Sequence, residues 1–192
     1  IKIFTSTGSS HSQMKDNFET GWLANLSRTF TENYDLRPPN SDVNLIIIHC
    51  ISLPPGHYGG NFISQFFTNR LDFSADSYFS NLKGIKVSPH IYIDRLGEAT
   101  QFVSLNNRAW HAGESLWNGR RDCNNFSVGI ELEGTDDTPF EDAQYNCLTD
   151  IIMKIKANKI SGSKNLEIVG HSDVAPIRKT DPGPHFLWER VR

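Results

Sequence analysis

Short β-branched runs punctuate this chain, and polar or proline-rich stretches separate them. The run VNLIIIH, Val43 to His49, predicts a strand covered on both faces. SVGIELEG reads differently and more clearly. Val128, Ile130 and Leu132 point one way, while Ser127, Gly129, Glu131 and Glu133 point the other. LEIVG predicts a further buried strand that delivers His171 at its end. VSPHIYID, a Leu96-Gly97 turn and EATQFV together read as a hairpin.

Helical spacing is strongest after TPFE. Thr138 suits an N-cap, Pro139 the first helical position and Glu141 a capping box. Tyr145, Leu148, Ile152 and Ile155 then form one apolar stripe. A short helix is expected within Phe18 to Asn33, and one or two more within Asn61 to Leu82, where aromatic and polar residues alternate. RPPN, from Arg37 to Asn40, breaks the chain, and SLPPGHYGG is a loop. Strands alternating with helices, plus a hairpin, predict an α/β fold: a single domain with a mixed central β-sheet flanked by helices.

Composition narrows the function classes. At 192 residues the chain is long enough for one domain with a real core. A net charge of −3 leaves no electrostatic footprint for nucleic acid, and no basic amphipathic run suggests a membrane surface. The apolar LIII run is too short to span a bilayer. Cys50, Cys123 and Cys147 are odd in number and widely spaced, which suggests free buried thiols and a reducing, cytoplasmic setting. Residues 1–13 differ in character from the rest of the chain and read as an appended leader or a disordered N-terminus, with residues 14–192 as the domain. A processed signal peptide would also explain a start without methionine. No heptad or long apolar edge is evident, so a monomer is expected.

The chemistry gathers at strand ends. His49 and His171 each follow an apolar run and precede a loop, where a rigid sheet can hold a ring for a metal or a proton. A catalytic zinc takes three protein ligands and leaves one position open. His49, His171 and a carboxylate of GHSDVAPIRKTDPGPHF would fill that set, and Asp181 sits there before Pro-Gly-Pro. Asp173 follows His171 too closely to share its metal comfortably, and capping or turn formation explains it at least as well. Glu131 lies on the polar face of its strand, either solvated or serving as a general base. Lys179 is either a surface lysine or, if Asp181 binds metal, an oxyanion partner at the rim.

These residues sit in five ordered blocks: GWLANLSRTFTENYDLRPP, IIIHCISLPPGHYGG, RAWHAGES, CNNFSVGIELEGTDDTPF and GHSDVAPIRKTDPGPHF. From about Gly21 to Arg192 the chain resembles the AmpD-type N-acetylmuramyl-L-alanine amidases, zinc enzymes of bacterial cell-wall recycling. The resemblance implies Zn²⁺ ligands at His49, His171 and Asp181, a catalytic acid at Glu131 and a second catalytic residue at Lys179. It implies a small-molecule muropeptide substrate, cut between N-acetylmuramic acid, preferably in its 1,6-anhydro form, and L-alanine. Trp110 and His111 are candidate substrate contacts. Relatives carry a basic residue before Cys-Asn where this chain has Asp122, so Arg121 beside it is a candidate for holding the peptide stem. A binding module that had lost catalysis would lack a ligand or the Glu/Lys pair, and none is missing. A secreted lytic amidase would carry a signal peptide or a wall-binding domain.

Overall fold

The computed structural model describes residues 20–157 and 166–192. The expected leader at 1–13 lies outside the described residues. In chain order the strands are β1 (Ser27–Arg28), β2 (Tyr34–Leu36), β3 (Leu45–Ile51), β4 (Ile91–Ile93), β5 (Ala99–Gln101), β6 (Asn107–Ala109), β7 (Leu116–Trp117), β8 (Arg120–Arg121), β9 (Ser127–Glu133) and β10 (Glu167–Gly170). The helices are α1 (Phe62–Phe67), α2 (Asp142–Ala157) and α3 (His171–Val174), with 3₁₀ turns at Ser77–Leu82, Cys123–Asn125 and Trp188–Arg190. Six strands form one mixed sheet in the order β1-β5-β4-β9-β3-β10. β4, β9, β3 and β10 run parallel, and β5 returns antiparallel to β4 as the hairpin predicts. No described helix is long and apolar enough to cross a membrane.

The pleat sorts the core. Ile46 and Ile48 of β3 join Val128, Ile130 and Leu132 of β9 and Ile91 and Ile93 of β4 beneath α2. The predicted stripe of α2 packs onto them, with Ile151 added to it. Burying each such side chain contributes about 1.5–3 kcal/mol. On the opposite face Leu45 and Ile47 pack with Phe126, Val169 and Val174, so β3 is indeed covered on both sides. A third cluster gathers Ile63, Phe66, Phe67 and Phe79 from α1 and the turn after it.

Three expectations are corrected. Residues 20–33 form turns and β1 rather than a helix. Asn25 takes a positive φ of 62° and Ser27–Arg28 pair with β5, and the segment has no apolar period to hold a helix together. The helix after TPFE starts later. Thr138 bonds Thr135 and Tyr58, Phe140 drops into the core, and α2 begins at Asp142. Its capping partner is Gln144, whose Oε1 accepts from the Glu141 N–H at 3.0 Å. Of the cysteines only Cys123 is buried, Cys50 and Cys147 being half-buried; all three are free.

A half-buried arginine secures the start of β9. Arg37 donates through Nη1 to the carbonyls of Asn124 (3.0 Å) and Asn125 (3.1 Å), and through Nη2 to those of Leu105 (3.2 Å) and Ser127 (2.8 Å). Burial, with Arg108 nearby, lowers its pKa to about 10, so the guanidinium still carries its charge at neutral pH. Arg37→Met should cost about 3 kcal/mol or more in urea unfolding, because several carbonyls lose their donor together. Arg37→Lys should recover little of this, since one ammonium cannot serve a fork of carbonyls.

Candidate metal centre and catalytic cleft

Strand register builds the site. His49 on β3 is paired with Glu131 on β9, and Gly170, the last residue of β10, is paired with Ile48. One step further, His171 comes level with His49. Glu131, His49 and His171 therefore stand in a row across three neighbouring strands, near the carboxyl ends of a parallel sheet where ligands bind in α/β folds. His49 falls within β3 rather than at its end, since the strand runs on to Ile51.

Asp181 completes the group from a short arm. Asp173 Oδ2 accepts from the Gly170 N–H at 2.7 Å, so of capping and turn formation it serves capping. The Ser172 N–H donates to the Asp181 carbonyl at 2.9 Å and folds the arm back on itself. A side chain at Gly170 would bring a Cβ to 2.8 Å from the Pro182 ring, so that approach requires glycine.

The three inward atoms crowd together. His49 Nδ1 lies 2.9 Å from His171 Nδ1, and Asp181 Oδ2 lies 3.3 Å from the first and 3.1 Å from the second. A tetrahedral ion with bonds of about 2.0–2.1 Å spaces its ligands roughly 3.3 Å apart, and two imidazoles with one carboxylate are a zinc-type donor set. The residues present fit such an ion. Burial, reinforced by His171, lowers the pKa of His49 to about 4, which leaves the ring neutral with a lone pair to give. Burial alone would raise Asp181, but its hydrogen bonds with His171 and His49 hold it well below the usual carboxylate range.

The remaining side chains line a cavity of about 430 Å³ over these atoms. Glu131 and Lys179 both face it. Burial pushes Glu131 well above the usual range and Asp181 adds to this, while Lys179 acts against both. Glu131 Oε2 is enclosed and has no hydrogen-bond partner among the described residues. The polar face of β9 is thus mostly covered, Glu131 being half-buried at the cavity and Glu133 buried, where it accepts from the Gly59 and Arg95 N–H groups.

Trp110 lines the cavity and is half-buried. His111 lies in the cavity wall, but both its ring nitrogens face protein groups, His49 and Ser127, so it is not free to hydrogen-bond a substrate. Arg121 is exposed and lies outside this cavity, in an adjoining groove with Leu116 and Ile177. Arg178, passed over in the sequence, lines both depressions. Asp136 was also missed; it accepts from Thr180 on the Asp181 arm and from the Cys50 thiol. Only adjacency to the GIELEG strand could have pointed to it. His90 is structural, accepting from the Gly129 N–H and donating to the Asn107 carbonyl.

A parallel-strand cleft holding a two-histidine, one-carboxylate donor set beside a half-buried glutamate with an enclosed, unpartnered oxygen defines a hydrolase site of the metal-dependent kind. Comparison with known proteins agrees. Residues 39–184 match the family model described as N-acetylmuramoyl-L-alanine amidase, and the chain belongs to this family of amide hydrolases. It is 45% identical over 181 residues to the 1,6-anhydro-N-acetylmuramyl-L-alanine amidase AmpD of Haemophilus influenzae, covering 93% of this chain and 96% of the relative. A crystal structure of a selenomethionine derivative of AmpD superposes with a TM-score of 0.84 at 45% identity, over 90% of this chain and 96% of that one. The amidase AmiD of Escherichia coli, solved with anhydro-N-acetylmuramic acid-L-Ala-D-γ-Glu-L-Lys, gives a TM-score of 0.54 at 30% identity, over 78% of this chain and 56% of that one.

The ligand assignment predicts one zinc per chain by elemental analysis after metal loading. Asp181→Ala should weaken zinc binding by about 100-fold or more, since two neutral imidazoles cannot make a tight catalytic site alone.

Proposed function

We propose that this protein hydrolyses the amide between the lactyl group of 1,6-anhydro-N-acetylmuramic acid and L-alanine, using zinc, as a monomer in the cytoplasmic recycling of muropeptides. The observation that carries the reading is the convergence of His49, His171 and Asp181 beneath a cavity walled by Glu131 and Lys179, in a chain that shares 45% identity with an AmpD amidase.

Zinc held by His49, His171 and Asp181 would supply Lewis acidity toward the water and the scissile carbonyl. Glu131 takes the proton of the attacking water, and its unpartnered Oε2 is the oxygen available to do so. The ammonium of Lys179 stabilises the negative oxygen of the tetrahedral intermediate from across the cavity. Glu131 then gives its proton to the alanine nitrogen as the C–N bond breaks. Every atom is accounted for without a covalent enzyme intermediate, so Cys50 has no nucleophilic task. Its thiol is pushed far above its usual range, chiefly by burial and then by Glu131 and other carboxylates, which suits an inert neighbour. Trp110 offers a face to the sugar ring. Arg178 and Arg121 line the groove through which the peptide stem would leave the cavity, with cations for its carboxylates.

Incubation with anhydro-muropeptide and with whole sacculi, with and without a chelator, tests this reading. Peptide release from the muropeptide alone, lost on chelation, is the expected outcome; efficient digestion of sacculi would instead indicate a lytic amidase. Glu131→Gln should keep near-stoichiometric zinc while turnover falls by about 10²–10⁴-fold. Lys179→Met should lower kcat by about 10²-fold or more with KM little changed, as removal of an oxyanion donor does.

A further inference from the structure

Both ligating histidines lean on the same dipeptide. His49 Nε2 meets His111 Nδ1 at 3.0 Å, and His171 Nε2 meets the carbonyl of the next residue, Ala112, at 3.0 Å. We propose that His111-Ala112 is the positioning element of the metal centre, setting the orientation and tautomer of His49 and His171 so that both direct a bare Nδ1 at the ion. This rests on the reading of those two histidines and Asp181 as ligands.

A carbonyl can only accept, so His171 must carry its proton on Nε2 and its Nδ1 is left free. His49 faces a ring nitrogen instead, and there the direction of the chain of hydrogen bonds decides. If Ser127 donates to His111 Nε2, the proton of His111 lies on Nδ1 and points at His49. His49 would then have to carry its own proton on Nδ1, where it blocks the ligand position. If His111 Nε2–H donates to Ser127 Oγ at 3.2 Å, then His111 Nδ1 accepts from His49 Nε2–H and the ligand atom is bare. Only the second direction fits a ligating His49.

The dipeptide is itself held from several sides. Asn124 Oδ1 accepts from the N–H groups of both His111 (3.2 Å) and Ala112 (2.8 Å). Arg178 Nη2 donates to the Ala112 carbonyl at 2.7 Å, beside the bond from His171. The His111 ring packs so closely on Gly129 that any Cβ there would overlap it. It crosses the His49 ring edge-to-face at 5.1 Å and 88°. Two peptide units thus fix two ligands. Losing the partner of a ligating histidine typically costs 10–100-fold in metal affinity.

Two variants separate this role from simple space-filling. His111→Leu fills the site without an acceptor; in His111→Asn the Oδ1 takes the place of Nδ1. Competition titrations of zinc against a chromophoric chelator should show affinity falling by about 10–100-fold in His111→Leu and largely kept in His111→Asn. In zinc-loaded wild type, ¹⁵N–¹H correlation of the imidazoles should place the His111 proton on Nε2 and show a slowly exchanging His49 Nε2 proton. That proton should be lost in His111→Leu. Equal zinc affinity in wild type and His111→Leu, or a wild-type His111 protonated on Nδ1, overturns the proposal while leaving the ligands intact. A wild type that takes up no zinc removes the ligand assignment itself. If His111→Leu does not fold, His111→Asn and the wild-type tautomer still decide.

Discussion

The register of three parallel strands, β9, β3 and β10, is the constraint on which the site depends. It sets Glu131, His49 and His171 side by side, at spacings of about 4.7–4.9 Å per strand, before any loop contributes. A slip of one residue in β3 would turn His49 into the apolar layer beneath α2 and put Ile48 in its place. Because β3 is apolar on both faces, its own hydrophobicity does little to prevent such a slip. The pins lie elsewhere. Arg37 clamps the carbonyls at the start of β9, and Glu133 near its end accepts from loop N–H groups. The missing side chain at Gly129 admits His111 at one level only.

Such an arrangement buries an unusual amount of polarity. His49, His90, His111 and His171 are all buried around the inner ends of the strands. Charged, they would repel one another, with the single carboxylate of Asp181 beside His49 and His171; neutral, each ring nitrogen needs one partner of the right kind. The structure meets this almost completely. His90 is held neutral, its pKa lowered to about 3 by burial and then by Arg37, and its ring links β9 to the β6 segment. In a native interior nearly every buried polar atom is paired. An exception such as Glu131 Oε2 then stands out, and it faces the cavity where a substrate amide and a water would lie.

Much of this was legible in the chain. Alternation in SVGIELEG placed Glu131 and Glu133 on one face, and the β-branched runs gave both flanking strands, because period-two patterning is a local property. The gathering of His49, His171 and Asp181 also followed, once the family blocks were seen in order. What escaped was non-local. Nothing near Arg37 announces a clamp, since its partners are backbone carbonyls of residues 105–127 and carry no side-chain signature. His111 looked like a substrate contact because RAWHAGES reads as a loop at the site; its two partners lie on different strands. The helix proposed for Phe18 to Asn33 failed for the opposite reason: local composition was over-read where the edge pairing of Ser27–Arg28 with β5 decides. The late start of α2 shows the same override, with Phe140 drawn into the core ahead of the TPFE cap.

The sheet and the C-terminal arm divide the work in different ways. Sheet residues are placed by hydrogen-bond ladders that cannot adjust one position without disturbing its neighbours. Asp181 is placed instead by a ten-residue tether from His171, closed by the Asp173 cap, the Ser172–Asp181 backbone bond and the contact of Thr180 with Asp136. A short tether fixes distance well but leaves the turn at Pro176 and Ile177 exposed, so Ile177 projects outward while Asp181 turns in. Lys179 lies at the changeover, half-buried, two residues from the carboxylate and on the wall of the cavity. Its position beside the donor set therefore follows from chain geometry. Any arm that carries a carboxylate inward at Asp181 and a solvated turn at Ile177 must pass the rim between them, and the cation sits where it passes.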